Sequence, residues 1–224
     1  MRTLIAAALA MATAGLAASQ DKKDAPAVKE PDLRAELVTR MKAEQDVRLE
    51  LNKLNPANKP LTPEDRQKPE VKAVLDRMEK VDRDNLAWLK GVVEKHGWPG
   101  QSMVGADGAQ GAFLIAQHAV SDLDFMAKCL ESLKTAYKAG DAQGQWVALM
   151  TDRLLILKDK KKHLYGTQLT SKDGKFVPQP IEDEANVDAR RKELGMQSLA
   201  DYLKFVNDRL GPPAKSPDVP LKKD

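Results

Sequence analysis

Cysteine is almost absent. Cys129 is the only one in 224 residues, so no internal disulfide can form and packing alone must hold the fold. No His or basic pair adjoins it in the sequence, which makes it a small buried side chain rather than a reactive thiol. Aromatic residues make up only 4% of the chain, which leaves Leu, Val, Ala and Met to build the core. Histidine is scarce too, with only His96, His118 and His163. Catalytic zinc usually takes three protein ligands at recognisable spacing, so no metal is expected. Charge of one sign is also lacking: 36 Lys and Arg against 33 Asp and Glu give a net charge of +3. That is far from the concentrated basic patch of a nucleic-acid binder, and nucleic acid is not an expected partner. Gly105, Gly108 and Gly111 match neither the dinucleotide fingerprint nor the P-loop. No cofactor is expected, and no nucleophile signature names a reaction.

The one long apolar run lies at the amino terminus. Met1-Arg2-Thr3 is a short basic start, Leu4 to Ala18 is apolar and small, and Ala17-Ala18-Ser19 or Gly15-Leu16-Ala17 supplies the small residues a signal peptidase reads. The run is shorter than the ~20 residues needed to span a bilayer, and no cysteine near it offers a lipid anchor. Residues 1–19 are therefore expected to be a secretory signal peptide, and the processed protein to be periplasmic or secreted with no transmembrane segment. Residues 20–31 read as a flexible leader, 32–210 as one helical domain, and the Pro- and Lys-rich 211–224 as a disordered tail.

Within the domain, apolar spacing predicts a mainly α fold, a helical bundle with one small β-hairpin. A first helix begins at Asp32 as N-cap, with Leu33, Leu37 and Met41 on its stripe and Gln45 and Arg48 continuing it. Residues 55–69, with four prolines, form a loop. A second helix spans Glu70 to Lys95 and stops at Gly97; a third starts near Gly105 to Asp107 and runs to Ala119; a fourth covers Asp122 to Lys138. A fifth, Trp146 to Leu157, is apolar nearly all round and belongs at the centre. The hairpin lies near 164–178 around Asp173-Gly174, and two short helices follow.

Polar residues interrupt the apolar faces of separate helices: Arg48, Asp82 with Asn85, Gln117-His118, and Asp152 with Arg153. If the helices share one core, these residues meet. A buried arginine keeps its proton and needs a carboxylate or an anionic ligand, with Asp82 and Asp152 as candidates. Tyr165, Thr167 and Gln168 stand at a strand start beside Gly166. His163 follows a lysine run and reads as solvated surface. The three spaced glycines favour close helix packing over an anion cradle.

These residues, taken in order, resemble a family of uncharacterised, often exported bacterial proteins that share a domain of unknown function. The matching positions are Glu44-Gln45 with Arg48, Asp82 with Asn85, Gly97-Trp98-Pro99, Gly105, Gln117-His118, Asp152-Arg153, Tyr165-Gly166-Thr167-Gln168, Pro180-Ile181, Val187-Asp188 with Arg191, and Gly195 through Tyr202. The chain departs from the pattern at Val120, where the family has Asp, and at His163, where it has Gln. The resemblance implies that the motifs act as one set and supplies no activity.

Two functional readings follow. In the first, an exported hydrolase uses His118 as general acid or base, Asp82 or Asp152 orients it, and Arg48 or Arg153 holds an anionic group. Asn85, Gln117, Tyr165, Thr167, Gln168 and Arg191 are then ligand contacts. In the second, the same residues form a non-catalytic pocket for a small molecule or cell-envelope ligand. An open cleft that exposes His118 favours the enzyme, and a sealed network favours a structural role.

Overall fold

A computed structural model describes residues 28–55 and 61–210 of the chain. The expected signal peptide, the leader as far as residue 27 and the expected tail 211–224 lie outside the described residues. Among the described residues there are eight α-helices and one two-stranded antiparallel sheet, the mainly helical fold with one hairpin that the periodicity predicts.

Helix α1 (Pro31–Leu54) begins before the expected cap, because Pro31 takes the first helical position, where its missing N–H costs nothing. The leader's end is docked: the Glu30 N–H donates to Met103 O at 3.0 Å. Of the proline-rich segment 55–69, residues 56–60 lie outside the described residues, and 61–69 departs from expectation. It holds a short helix, α2 (Pro63–Gln67), whose start is fixed by a reciprocal capping box between Thr62 and Asp65. Pro63 opens α2 and Pro69 opens α3 (Pro69–His96), so each proline starts a helix instead of breaking one. Gly97 ends α3 at φ 75°.

Helix α4 (Gln101–His118) starts earlier than its glycines suggest, with one turn before Gly105, where φ of 72° kinks the helix. Its start is capped from a distance: Asp141 accepts from the Ser102 N–H at 2.5 Å and from Ser102 Oγ at 3.0 Å. From Gly111 to Ala119 every residue of this segment is buried. It therefore shares the central position expected for α6 (Gly144–Leu157), and Phe113 of α4 stacks on Trp146 of α6 with ring centroids 5.2 Å apart. Helix α5 (Leu123–Lys138), capped by Asp122, buries Met126, Cys129, Leu130 and Leu133. Burial pushes the Cys129 thiol up to about 12, which keeps it unreactive.

A smaller layer follows α6. Strands β1 (Leu169–Lys172) and β2 (Lys175–Pro178) pair through the turn at Asp173-Gly174, both residues with positive φ. Tyr165 to Gln168 precede the strand as a loop rather than starting it. A 3-10 turn (Glu184–Asn186) leads into α7 (Val187–Glu193), and α8 (Leu199–Leu210) ends the described chain. Leu169, Phe176, Ile181, Val187, Leu199, Tyr202 and Val206 form a separate core in this layer. Asn207 of α8 clamps both backbone groups of Phe176 in β2. Among the described residues, no helix is long and apolar enough to cross a membrane.

The small residues of α4 let α1 approach closely. A Cβ at Gly111 would stand 2.8 Å from the Leu37 carbonyl oxygen, and that atom belongs to helical backbone. Gly111→Ala is expected to cost about 1–3 kcal/mol by overpacking, read by urea unfolding; wild-type stability in this variant would contradict so close a contact.

Candidate functional site

Two polar clusters lie back to back on α6. The first joins α1, α3, α4 and α6. Glu44 and Arg48 share the buried side of α1, and Arg48 Nη1 stands 2.8 Å from Glu44 Oε1. Arg48 Nη2 donates to both oxygens of Asp82 on α3, each at 2.9 Å. Glu44 Oε1 also stands 2.5 Å from His118 Nδ1 at the end of α4. The alignment is too oblique for a well-formed hydrogen bond, yet a bare ring nitrogen so close to a carboxylate oxygen would be repelled. Nδ1 therefore carries the proton, and Nε2, buried and without a hydrogen-bond partner among the described residues, keeps its lone pair.

Arg153 enters from α6. Its Nη1 donates to the Gln117 carbonyl at 2.7 Å, one of the free carbonyls in the last turn of α4, where a cation is favoured by the helix dipole. Among the described residues no carboxylate stands within ion-pair distance of Arg153, and its Nε is buried without a hydrogen-bond partner. Gln117 Oε1 is unpartnered as well, although its Nε2 donates to Leu149 O at 3.3 Å.

Electrostatics fix the protonation states. Burial, reinforced by the Arg48 and Arg153 charges and only partly offset by Glu44, lowers His118 to about 4, so the ring is neutral at pH 7. Burial raises Glu44, but His118, Arg48 and a hydrogen bond from Gln45 together outweigh it and hold the carboxyl below its ordinary value. Burial raises Asp82 despite Arg48. Burial and Arg48 bring Arg153 down to about 10, still charged at neutral pH.

The second cluster centres on Asp152, which has no exposed surface. Its Oδ1 accepts from the N–H of Leu164 at 2.8 Å and of Tyr165 at 3.1 Å. Its Oδ2 accepts from the N–H and hydroxyl of Thr167, both at 2.9 Å. His163 lies alongside, with Nδ1 3.4 Å from Asp152 Oδ2 and Nε2 2.7 Å from the Gln179 carbonyl. Arg191 of α7 closes the loop from outside, donating to Tyr165 O at 2.6 Å and Gln197 O at 2.8 Å. Gln168 donates to Leu149 O at 3.4 Å, the same carbonyl that Gln117 uses.

The structure thus brings Arg48, Asp82, His118 and Arg153 together, and sets Asp152, Thr167, Gln168 and Arg191 in a separate network. Asp152 neither orients His118 nor pairs with Arg153, because its oxygens are taken by the loop. Glu44 orients His118 instead. It was hidden by helix register: the stripe runs from Met41 to Glu44 in a three-residue step, whereas Gln45 is only partly buried. The i, i+4 spacing of Glu44 and Arg48 was the signal that pointed to it. Asn85 is buried but accepts from Arg40 Nη1 at 3.1 Å, and Tyr165 serves the loop through its backbone. Asp122, within reach of His118 in sequence, caps α5 and stands 2.5 Å from Lys90. His163 is wholly buried and not solvated surface.

His118 is only 7% exposed. A groove of ≈ 390 Å³ between α1 and α3, lined by residues such as Val47, Glu50, Arg77 and Val81, includes no member of the cluster. Among the described residues, no group of three or more His, Cys, Asp or Glu side chains is placed to hold a metal ion.

A helical bundle with a buried ionic centre, and a small hairpin layer pinned to it by one carboxylate, defines the class of domain. The profile of a family described as "Family of unknown function (DUF6624)" matches residues 31–215. The chain belongs to that family. No curated protein and no solved structure matches it.

Two outcomes test this geometry. Asp152→Asn turns an amide donor toward backbone N–H groups and is expected to cost on the order of 3–5 kcal/mol. Amide exchange at Leu164, Tyr165 and Thr167 should rise with it, and unchanged protection there would contradict the anchor. The second outcome is a pH dependence. His118 binds its proton near 6.5 when unfolded and near 4 when folded, so the unfolded state takes up more protons between these values. The stability is complete above pH 6.5 and falls by about 3 kcal/mol as the pH drops to 4. Glu44, lowered in the fold, adds to the loss below its ordinary value, and Asp82, raised, opposes it. The difference in unfolding free energy between wild type and His118→Asn isolates the His118 part, and a pH-independent difference would contradict a neutral buried ring.

Proposed function

We propose that the cluster around His118 is a hydrolytic site for a small or anionic ligand, in a protein exported to the periplasm or beyond. The observation that carries this reading is His118 itself: a neutral imidazole with Glu44 behind Nδ1 and a buried, unpartnered Nε2 in front. Such a ring accepts a proton from water at Nε2, and Glu44 stabilises the imidazolium that forms. Hydroxide then adds to an electrophilic carbon and the imidazolium returns its proton to the leaving group. Arg48 and Arg153 supply the positive field that an anionic substrate needs. The apolar run Leu4 to Ala18 behind a basic start supports export.

The near-complete burial of His118 favours a second reading, in which the cluster joins four helices as an ion network or receives a ligand without chemistry. One set of variants separates the two. On the first reading, His118→Asn leaves the melting temperature within about 3 °C of wild type and abolishes turnover found by unbiased metabolite screening. Glu44→Gln then lowers kcat by about 10²–10⁴. Turnover indifferent to His118, with Arg153→Ala losing about 3–5 kcal/mol of stability, would overturn the first reading in favour of the second.

A further inference from the structure

We propose that the anion this cluster takes is a small monocarboxylate, seated on the free edge of Arg153 and bound together with one proton. The proposal rests on reading the cluster as a ligand site. It begins from an asymmetry between three buried arginines. Arg48 is saturated, with Glu44 on one terminal nitrogen and both oxygens of Asp82 on the other. Arg191 gives Nε and Nη1 to two carbonyls and lays its guanidinium over the Tyr202 ring at 5.1 Å. Arg153 has one contact, from Nη1 to the Gln117 carbonyl, and its Nε is buried and unpartnered. Its neighbour Asp152 is committed to the loop 164–167. A guanidinium stays charged at neutral pH, and among the described residues this one has no carboxylate in direct contact, its charge being balanced only at a distance by Glu44 and Asp82. The Nε side of the guanidinium presents two parallel N–H groups, which match the two oxygens of a planar carboxylate.

Charge and space narrow the ligand further. The charged groups that face His118 are Glu44 and Arg48 from α1, Asp82 from α3 and Arg153 from α6. With the ring neutral, two cations balance two carboxylates. An added monoanion leaves one uncompensated negative charge in a buried place, and a proton on His118 Nε2 cancels it. The protonated ring then donates to the carboxylate from the side opposite Glu44. A dianion such as a phosphate ester would require a second proton. Glu44, Arg48, His118 and Arg153 are all buried, which favours a ligand of few heavy atoms.

The test uses the full chain with acetate as probe and inorganic phosphate as comparison. Calorimetry in buffers of different ionisation enthalpy is expected to show uptake of about one proton per acetate at pH 7. Acetate affinity should fall up to about tenfold per pH unit above the folded value of His118. Arg153→Lys replaces the fork by a point charge and should weaken acetate by roughly tenfold or more. Should that variant not fold, the proton uptake and pH slope of wild type decide the matter alone. Acetate binding without proton uptake, phosphate binding tighter than acetate, or no acetate binding at all overturns the proposal. Its fate is separable from that of the hydrolase: acetate bound with a proton in a chain that shows no turnover sustains this inference and removes that reading. His118-dependent hydrolysis of an uncharged ester without acetate binding does the reverse.

Discussion

Asp152 is a carboxylate with no exposed surface, and the way it is neutralised organises the rest of the molecule. No lysine or arginine among the described residues stands against it, and His163 Nδ1 lies 3.4 Å from Oδ2. Instead three backbone N–H groups and one hydroxyl from the following loop converge on it, an arrangement that stabilises a buried carboxylate nearly as a helix N-terminus does. Successive residues on a helix point about 100° apart. Once Asp152 is turned toward the loop, Arg153 is turned toward α4 and the Glu44–His118 pair. Asp152 thus fastens the loop 164–167 to the bundle, alongside Gln168 on the Leu149 carbonyl and Tyr137 on the Glu193 carbonyl, while its neighbour Arg153 is aimed into the other cluster.

The two clusters differ in how completely they are satisfied. Around Asp152 both carboxylate oxygens are matched by short contacts, and Arg191 reinforces the loop by binding the Tyr165 carbonyl, although His163 Nδ1 has no hydrogen-bond partner among the described residues. Around His118 the pairing stops short: Arg48 is saturated, whereas His118 Nε2, Arg153 Nε and Gln117 Oε1 are left without partners. A structural network gains little from such leftovers, each of which costs about 1–3 kcal/mol if nothing fills it. The atoms left unpaired around His118 are the ones on which the proposed function rests.

Much of this was legible in the chain. The mainly helical bundle with one hairpin, the central position of Gly144–Leu157, Asp82 as one of two candidate partners for a buried arginine, and the close approach at Gly111 all follow from periodicity, charge on apolar faces and small-residue spacing. Glu44 was missed because a stripe at 3.6 residues per turn can step by three or four, and both Glu44 and Gln45 are polar. His163 was misjudged because the lysines before it are exposed while the bridge to Ile181 carries it inward. The role of Asp152 left no mark, since its partners are backbone N–H groups and any residue supplies those. Proline in 55–69 was taken for a helix breaker where it opens two helices.

The account depends most on the state of one imidazole. Nitrogen-15 NMR of the His118 ring at pH 7 observes it directly, through the protonation of each ring nitrogen. The structure predicts a neutral ring with the proton on Nδ1 facing Glu44 and a lone pair on Nε2. A ring protonated at both nitrogens, or one with its proton on Nε2, would contradict it.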